Sequence, residues 1–246
     1  MVERVKVWDE GPVRVVALDR PEKGNAIDRR MAEEVQAAIR EFDRSPSKVA
    51  VLTGTGAKAF SVGADVADPP ELWRAVPNVG WQTDKPVVAA VEGWCVGGAL
   101  VLAMMADLAV CRAGARFYYP EAKIGLTGGM IAALPSRIPH KIAMELMLLC
   151  RTFEAERAAA VGLVNEVVPE GGALARAVEW GREMAGFAPM VLGAIKRMVV
   201  DDILPRGPSE RWAVQGERLA AIRGSDDFAE GAAAFRERRA PVFRGR

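Results

Sequence analysis

The chain opens on alternation. Apolar and charged residues take turns from Val5 into the run VRVVAL, broken at Glu10, Gly11 and Pro12, which predicts two strands joined by a tight turn. The period then changes: Met31, Val35, Ala38, Ile39 and Phe42 recur at helical spacing behind Asp28, a residue suited to cap a helix, and Ser45 and Pro46 end the pattern. Residues 49–53, 87–91 and 108–111 are short, continuous apolar runs that predict buried strands, and the segment from Gly97 predicts a buried helix. Strand, strand, helix units thus follow one another without an obvious sequence repeat. Residues 66–80 hold prolines and Trp73 and predict a loop or short helix of the kind that walls a binding pocket. After Glu154 alanine-rich helical patterns dominate, over 154–161, 173–187, 190–201, 209–222 and 226–238, with a strand-like piece at 162–168 and a break at Pro205, Gly207 and Pro208.

With 246 residues, half of them hydrophobic, the chain suffices for a sizeable core. The near balance of 33 basic and 32 acidic residues leaves no overall field for a polyanion, so nucleic acid is not an expected partner. Cys95, Cys111 and Cys150 stand in apolar stretches without paired short spacing, which predicts reduced, buried thiols. The N-terminus lacks the uninterrupted apolar run of a signal peptide, and the run at 96–105 is shorter than the roughly 20 residues of a membrane-spanning helix. The expectation is a cytoplasmic protein with no membrane partner.

Two glycine-rich turns carry candidate chemistry. In EGWCVGGALVLAMMAD (92–107) paired glycines open the buried helix, where bare backbone N–H groups and the helix dipole favour an anionic oxygen. In GTGAKAFSVGAD (54–65) a second such turn follows a buried strand, so each turn can offer one backbone donor to an oxyanion hole. Tight packing of a helix on a sheet would use Gly97 and Gly98 equally well. Gly54, Gly56 and Ala59 also fit a loose dinucleotide pattern, but Phe60 to Gly63 continue as loop or strand edge where that pattern needs a helix. The single histidine, His140, sits at a predicted helix start, no G-x-S-x-G elbow accompanies it, and no His, Cys and carboxylate cluster has metal-ligand spacing.

The order of RPEKGNAID (20–28), AFSVGAD (59–65), GWCVGGALVLAMMAD (93–107) and PEAKIGL (120–126) resembles the crotonase superfamily, the enoyl-CoA hydratase/isomerase family. AAAVGLVNEVVP (158–169), APMVLGAIK (188–196) and the closing RRAPVFRGR extend the resemblance over nearly the whole chain. It implies an α/β fold, the crotonase (ClpP-like) spiral of repeated β-β-α units over residues 1–190, and a C-terminal helical trimerisation region over 191–246. It further implies an acyl-CoA thioester as substrate, with a homotrimer or dimer of trimers as the assembly. By the same resemblance the backbone N–H groups of Ala64 and Gly98 stabilise an enolate oxygen. Lys23, Ala26, Asp65, Val66, Val101 and Tyr118 line the substrate, and no metal or cofactor is needed beyond the coenzyme A of the substrate.

Hydratases of the family use two glutamates. One is retained as Glu121; the other falls on Val101, which cannot transfer a proton. A lone carboxylate suits double-bond isomerisation, and also leaves open single-glutamate hydration or dehydration, cleavage of a hydroxyacyl-CoA, and a weakly catalytic acyl-CoA-binding scaffold. Glu121 lies in the aromatic and apolar stretch ARFYYPEAKIGL, where partial desolvation would raise its pKa, although a glutamate after proline also suits a solvent-facing helix start. Trp73 and Trp81 hint at a flat acyl group, and Arg239 and Phe243 match positions near a coenzyme A bound to a neighbouring subunit.

Overall fold

The computed structural model describes residues 3–246. Its first two strands, β1 (Val5–Glu10) and β2 (Val13–Leu18), form the antiparallel hairpin that the alternation predicts. Strands β3 (Val49–Gly54), β5 (Val87–Val91), β7 (Leu108–Arg112) and β10 (Glu166–Val168) then add in parallel, giving a six-stranded sheet in the order β1-β2-β3-β5-β7-β10. A second sheet is built from short strands, β4 (Ala59–Ser61), β6 (Trp94–Val96), β8 (Arg116–Tyr118) and β9 (Phe153–Glu154). Each coil of the chain therefore lays one long strand in the first sheet and one short strand in the second. After β6 it enters helix α2 (Gly98–Met105), and after β8 the single-turn helix α3 (Glu121–Ile124).

Burial on both faces explains the unbroken apolar runs. Ala50, Leu52, Ala89 and Cys111 point between the sheets, into a core shared with Phe60, Leu100, Phe117 and the apolar stripe of α1 (Arg29–Arg44). Val49, Val51, Val88 and Val110 point the other way, onto Ala173, Ala177 and Val178 of α6 (Ala173–Ala185). Because α6 presents small residues, it packs so closely that a Cβ on Gly181 would fall 2.6 Å from Val13 Cγ2. Glu92, buried beside it, accepts a hydrogen bond at 3.0 Å from the Ala173 N–H and so satisfies one orphan donor at the start of α6. Helix α1 is capped as its sequence predicts, with Asp28 Oδ1 accepting from the Met31 N–H at 2.8 Å.

Helices α4 (His140–Leu148) and α5 (Ala155–Ala160) stand on either side of β9, and α7 (Pro189–Arg197), α8 (Pro208–Arg223) and α9 (Asp226–Glu237) close the chain. The helix expected over 190–201 changes at Met198 into a π-helical turn reaching Ile203, and the strand expected over 162–168 is confined to β10. All three cysteines are buried and unpaired, and no described helix is long and apolar enough to cross a membrane.

Candidate active site

Ala64 is placed by a single parallel bridge to Ile27. The Ile27 N–H donates to the Gly63 carbonyl at 2.8 Å, and the Asp65 N–H donates to the Ile27 carbonyl at 2.8 Å. Since the Gly63 carbonyl and the Ala64 N–H belong to one trans peptide and point in opposite directions, the first of these bonds turns the Ala64 N–H away from Ile27. Gly63 itself has φ +90°, and a Cβ there would lie 2.7 Å from the Val96 carbonyl oxygen and 3.1 Å from the Gly98 nitrogen. Only glycine fits, and the close approach brings the residue before Ala64 against the residue at the head of α2.

Gly98 is the first residue of α2, so its N–H has no intrahelical acceptor. The preceding residue is held on both sides: the Gly97 N–H donates to the Tyr118 carbonyl at 2.9 Å, and the Gly97 carbonyl accepts from the Leu100 N–H at 3.1 Å. Among the described residues neither the Ala64 nor the Gly98 N–H finds an acceptor. Leu72 packs over Gly98, closely enough that a Cβ there would meet its Cδ2 at 2.6 Å. Val101, one turn further along α2, is buried at 3% exposure.

Glu121 heads α3 and turns its carboxyl back onto the glycine pair. At Gly97, φ +57°, a Cβ would lie 2.7 Å from Glu121 Oε1, so the absence of a side chain at position 97 admits the carboxyl beside the Gly98 donor. Glu121 Oε2 is buried and, among the described residues, has no hydrogen-bond partner. Burial pushes its pKa from 4.5 up to about 7, the opposing contribution of its own backbone N–H being smaller. Such a group gives and takes protons readily near neutrality.

The adjacent tyrosines divide their roles. Tyr119 is buried, its hydroxyl pairs with Thr127 Oγ1 at 3.0 Å, and burial, with the Glu121 charge as a smaller contribution, pushes its pKa up to about 12. Tyr118 is half-buried, with the Lys123 ammonium 5.6 Å from its ring centroid. Lys23 and Val66 are exposed and Ala26 is buried; Ala26 adjoins Ile27, the bridge partner of Ala64, and Val66 lies two residues beyond Ala64. Arg239 is engaged within its own chain, by both Glu230 oxygens and by Glu237 Oε2. Trp73 and Trp81 are each 4% exposed and belong to the core, so they are packing residues rather than a flat lining for an acyl group.

Gly63 and Leu72 are site residues that sequence reasoning missed, and so was the contact between Gly97 and Glu121. A glycine two residues before an aspartate, inside a turn after a strand, was the available signal for the first; nothing local marks Leu72. A cavity of about 630 Å³ lies elsewhere, at the far end of α2 among Met105, Arg137, Leu192, Lys196 and Glu210, and another of about 540 Å³ lies under Met190 and Gly193. Both follow the seam between the sheets and α7. Among the described residues no group of His, Cys, Asp and Glu is arranged to hold a metal ion.

Comparison with known proteins agrees with this architecture. The family profile described as enoyl-CoA hydratase/isomerase matches residues 9–246. Carnitinyl-CoA dehydratase of Salmonella typhi is 34% identical over the full length of both chains. Among solved structures, a carnitinyl-CoA hydratase from Mycobacterium avium superposes with a TM-score of 0.79 at 30% identity, covering all of both chains. An enoyl-CoA hydratase from Mycobacterium tuberculosis H37Rv does so with a TM-score of 0.74 at 32% identity, again over all of both chains.

Proposed function

This chain belongs to the enoyl-CoA hydratase/isomerase family, and we propose that it acts on an acyl-CoA thioester whose carbonyl oxygen lies between the Ala64 and Gly98 N–H groups while Glu121 alone moves the proton. The observation that carries this reading is the desolvated Glu121 carboxyl set against Gly97, one residue from an acceptor-free helix N-terminus. In the dehydrating direction the carboxylate removes the Cα proton of a 3-hydroxyacyl thioester, and the electron pair moves onto the thioester oxygen. Backbone donors at that oxygen are each worth roughly 3 kcal/mol. The electron pair then returns to form the Cα–Cβ double bond, and the carboxylic acid gives its proton to the departing β-hydroxyl, which leaves as water. Hydration is the reverse.

The names of the relatives, dehydratases and hydratases of carnitinyl-CoA and enoyl-CoA, support addition or elimination of water as the reaction. Val101 supports a second reading, double-bond isomerisation, because one carboxyl suffices to take a proton from one carbon of the chain and return it to another. Lys23, Ala26, Asp65, Val66, Val101 and Tyr118 would flank the substrate, and no step calls for a cofactor beyond its coenzyme A. The exposed apolar residues Met190, Ile195, Met198 and Ile203 along α7 and its π-helical extension suit burial against further copies in a trimer or dimer of trimers. The cytoplasm is the setting in which three unpaired thiols are the ordinary state.

Incubation with crotonyl-CoA and with 3-hexenoyl-CoA, followed by thioester absorbance and product mass, tests the reading. Gain of one water by crotonyl-CoA, falling about 10²- to 10⁴-fold in kcat in Glu121→Gln, is expected. Isomerisation of 3-hexenoyl-CoA without hydration of crotonyl-CoA selects the second reading. Binding of both thioesters without turnover, unchanged by Glu121→Gln, refutes both and leaves an acyl-CoA-binding scaffold.

A further inference from the structure

Arg20 is 8% exposed and lies deep beneath the loop that leads into α1. A single guanidinium nitrogen, Nη1, faces the Ala26 carbonyl at 3.0 Å, Asp65 Oδ2 at 3.0 Å and Asp28 Oδ2 at 3.1 Å. These acceptors belong to the two segments that meet at the Ile27 to Ala64 bridge. Arg4 closes the cluster from the edge of the sheet, with Nε 3.1 Å from Asp28 Oδ2. The other end of the loop is tied down by Asn25, in a left-handed conformation at φ +55°, whose amide nitrogen donates to the Thr55 and Ala59 carbonyls at 3.0 and 2.9 Å while its oxygen accepts from the Arg20 N–H at 2.9 Å.

Asp65 is bound from both sides. Its Oδ2 takes the Arg20 contact and its Oδ1 accepts the Ala67 N–H at 3.0 Å, so the residue immediately after Ala64 has both carboxylate oxygens committed. Those two partners, the Ala67 N–H first and Arg20 second, hold its carboxyl below the usual carboxylate range. A buried cluster of this kind yields little net stability, because desolvation offsets the attraction, whereas removing one member leaves a charge uncompensated. What it fixes is direction. Two hydrogen bonds form the isolated bridge that aims the Ala64 N–H, and a third joins the same segments ahead of it, from the Val62 N–H to the Gly24 carbonyl at 2.9 Å; the Arg20 to Asp65 contact ties them together on the far side of Ala64.

We propose that Arg20 and Asp65 are positioning residues for the reaction: the ion pair between them clamps the Ile27 to Ala64 bridge and thereby aims the Ala64 N–H at the thioester oxygen. Neither side chain touches the substrate's reacting atoms in this account. The inference rests on the oxyanion role proposed above for Ala64. It extends that role to side chains, which a donor made only of backbone would otherwise hide from mutagenesis.

The test combines steady-state kinetics with infrared spectroscopy of crotonyl-CoA carrying a 13C-labelled thioester carbonyl, in wild type and in Asp65→Asn, Arg20→Met and Arg20→Lys. Wild type is expected to move the bound carbonyl stretch to lower wavenumber, as two donors polarise it. Asp65→Asn keeps the shape and the Ala67 contact but not the charge. It is expected to lose part of that shift and about 10- to 100-fold in kcat, less than the loss of a whole oxyanion donor, with KM changed far less. Arg20→Lys, which restores a cation facing the same oxygens, should recover part of what Arg20→Met loses. Should Arg20→Met fail to fold, Asp65→Asn and Arg20→Lys decide alone. Variants that melt earlier yet keep the wild-type carbonyl shift and kcat overturn the clamp and leave the cluster a structural one. A wild type that turns over crotonyl-CoA with no carbonyl shift overturns the oxyanion role itself, and the clamp with it.

Discussion

Replacing Glu121 by Gln removes the one carboxyl near the glycine pair whose ionisation the fold opposes. In the folded chain it titrates at about 7 against 4.5 for an unhindered glutamate, because burial penalises the charged form. The protonated group is therefore at home in the folded state. Its advantage is full below the unfolded pKa of 4.5 and is lost as pH rises through the folded value of about 7. Linkage between those two values costs wild type roughly 2–3 kcal/mol of stability relative to Glu121→Gln between about pH 5 and pH 8. At roughly 2–4 °C per kcal/mol for a chain of this length, that is about 5–10 °C in Tm. Thermal melts of both proteins across this pH range give the assay, read as the difference between the two curves rather than either alone, so that any fixed cost of the amide drops out. The Gln variant should gain on wild type steadily with pH. Parallel curves would mean that Glu121 ionises in the folded state as freely as in water, and the argument from desolvation would fail.

Two further substitutions probe the geometry. Gly97→Ala sets a Cβ 2.7 Å from Glu121 Oε1 at a φ of +57°, so the carboxyl must be displaced from the Gly98 donor; kcat on crotonyl-CoA should fall by about 10²-fold or more, and retention of wild-type turnover would show that this contact is not used. Val101→Glu sets a second carboxyl one turn along α2 from Gly98, at a site only 3% exposed, and should raise the hydration rate of crotonyl-CoA while moving the pH profile upward through repulsion between the two carboxyls. No gain in a folded variant would show that the pocket around position 101, and not the residue alone, differs from that of a two-glutamate hydratase.

Long and strongly patterned elements were legible in the sequence. The hairpin, α1 with its Asp28 cap, strands β3, β5 and β7 of the first sheet and α2 all appear where period and burial place them. The second sheet was not legible, because β4, β6 and β8 are three residues each and too short to show a period. Their pairing is written in contacts between coils, such as Trp94 with Ala59 and Arg116, that no local pattern carries. The π-helical turn after α7 was equally hidden, since MVVDDI suits continuing helix as well. At the site, Glu121 stood out through its apolar surroundings and the paired glycines through their place before a helix. The roles of Gly63 and Gly97 are different, since each is defined by an atom from another segment, the Val96 carbonyl or the Glu121 carboxyl. Arg20 is the clearest case: nothing in the local sequence marks it as buried, and only the meeting of residues 26, 28 and 65 around its Nη1 shows why it is.

The central claim is that two main-chain donors stabilise a thioester enolate while Glu121 carries the proton. Solvent deuterium exchange at Cα of butyryl-CoA, a thioester with no double bond or hydroxyl to react, measures that step without any net reaction. Followed by proton NMR in D2O, wild type should exchange the Cα hydrogens far faster than buffer alone, and Glu121→Gln should return the rate to that of buffer. Exchange no faster than buffer in wild type, or exchange undiminished in Glu121→Gln, would contradict the account.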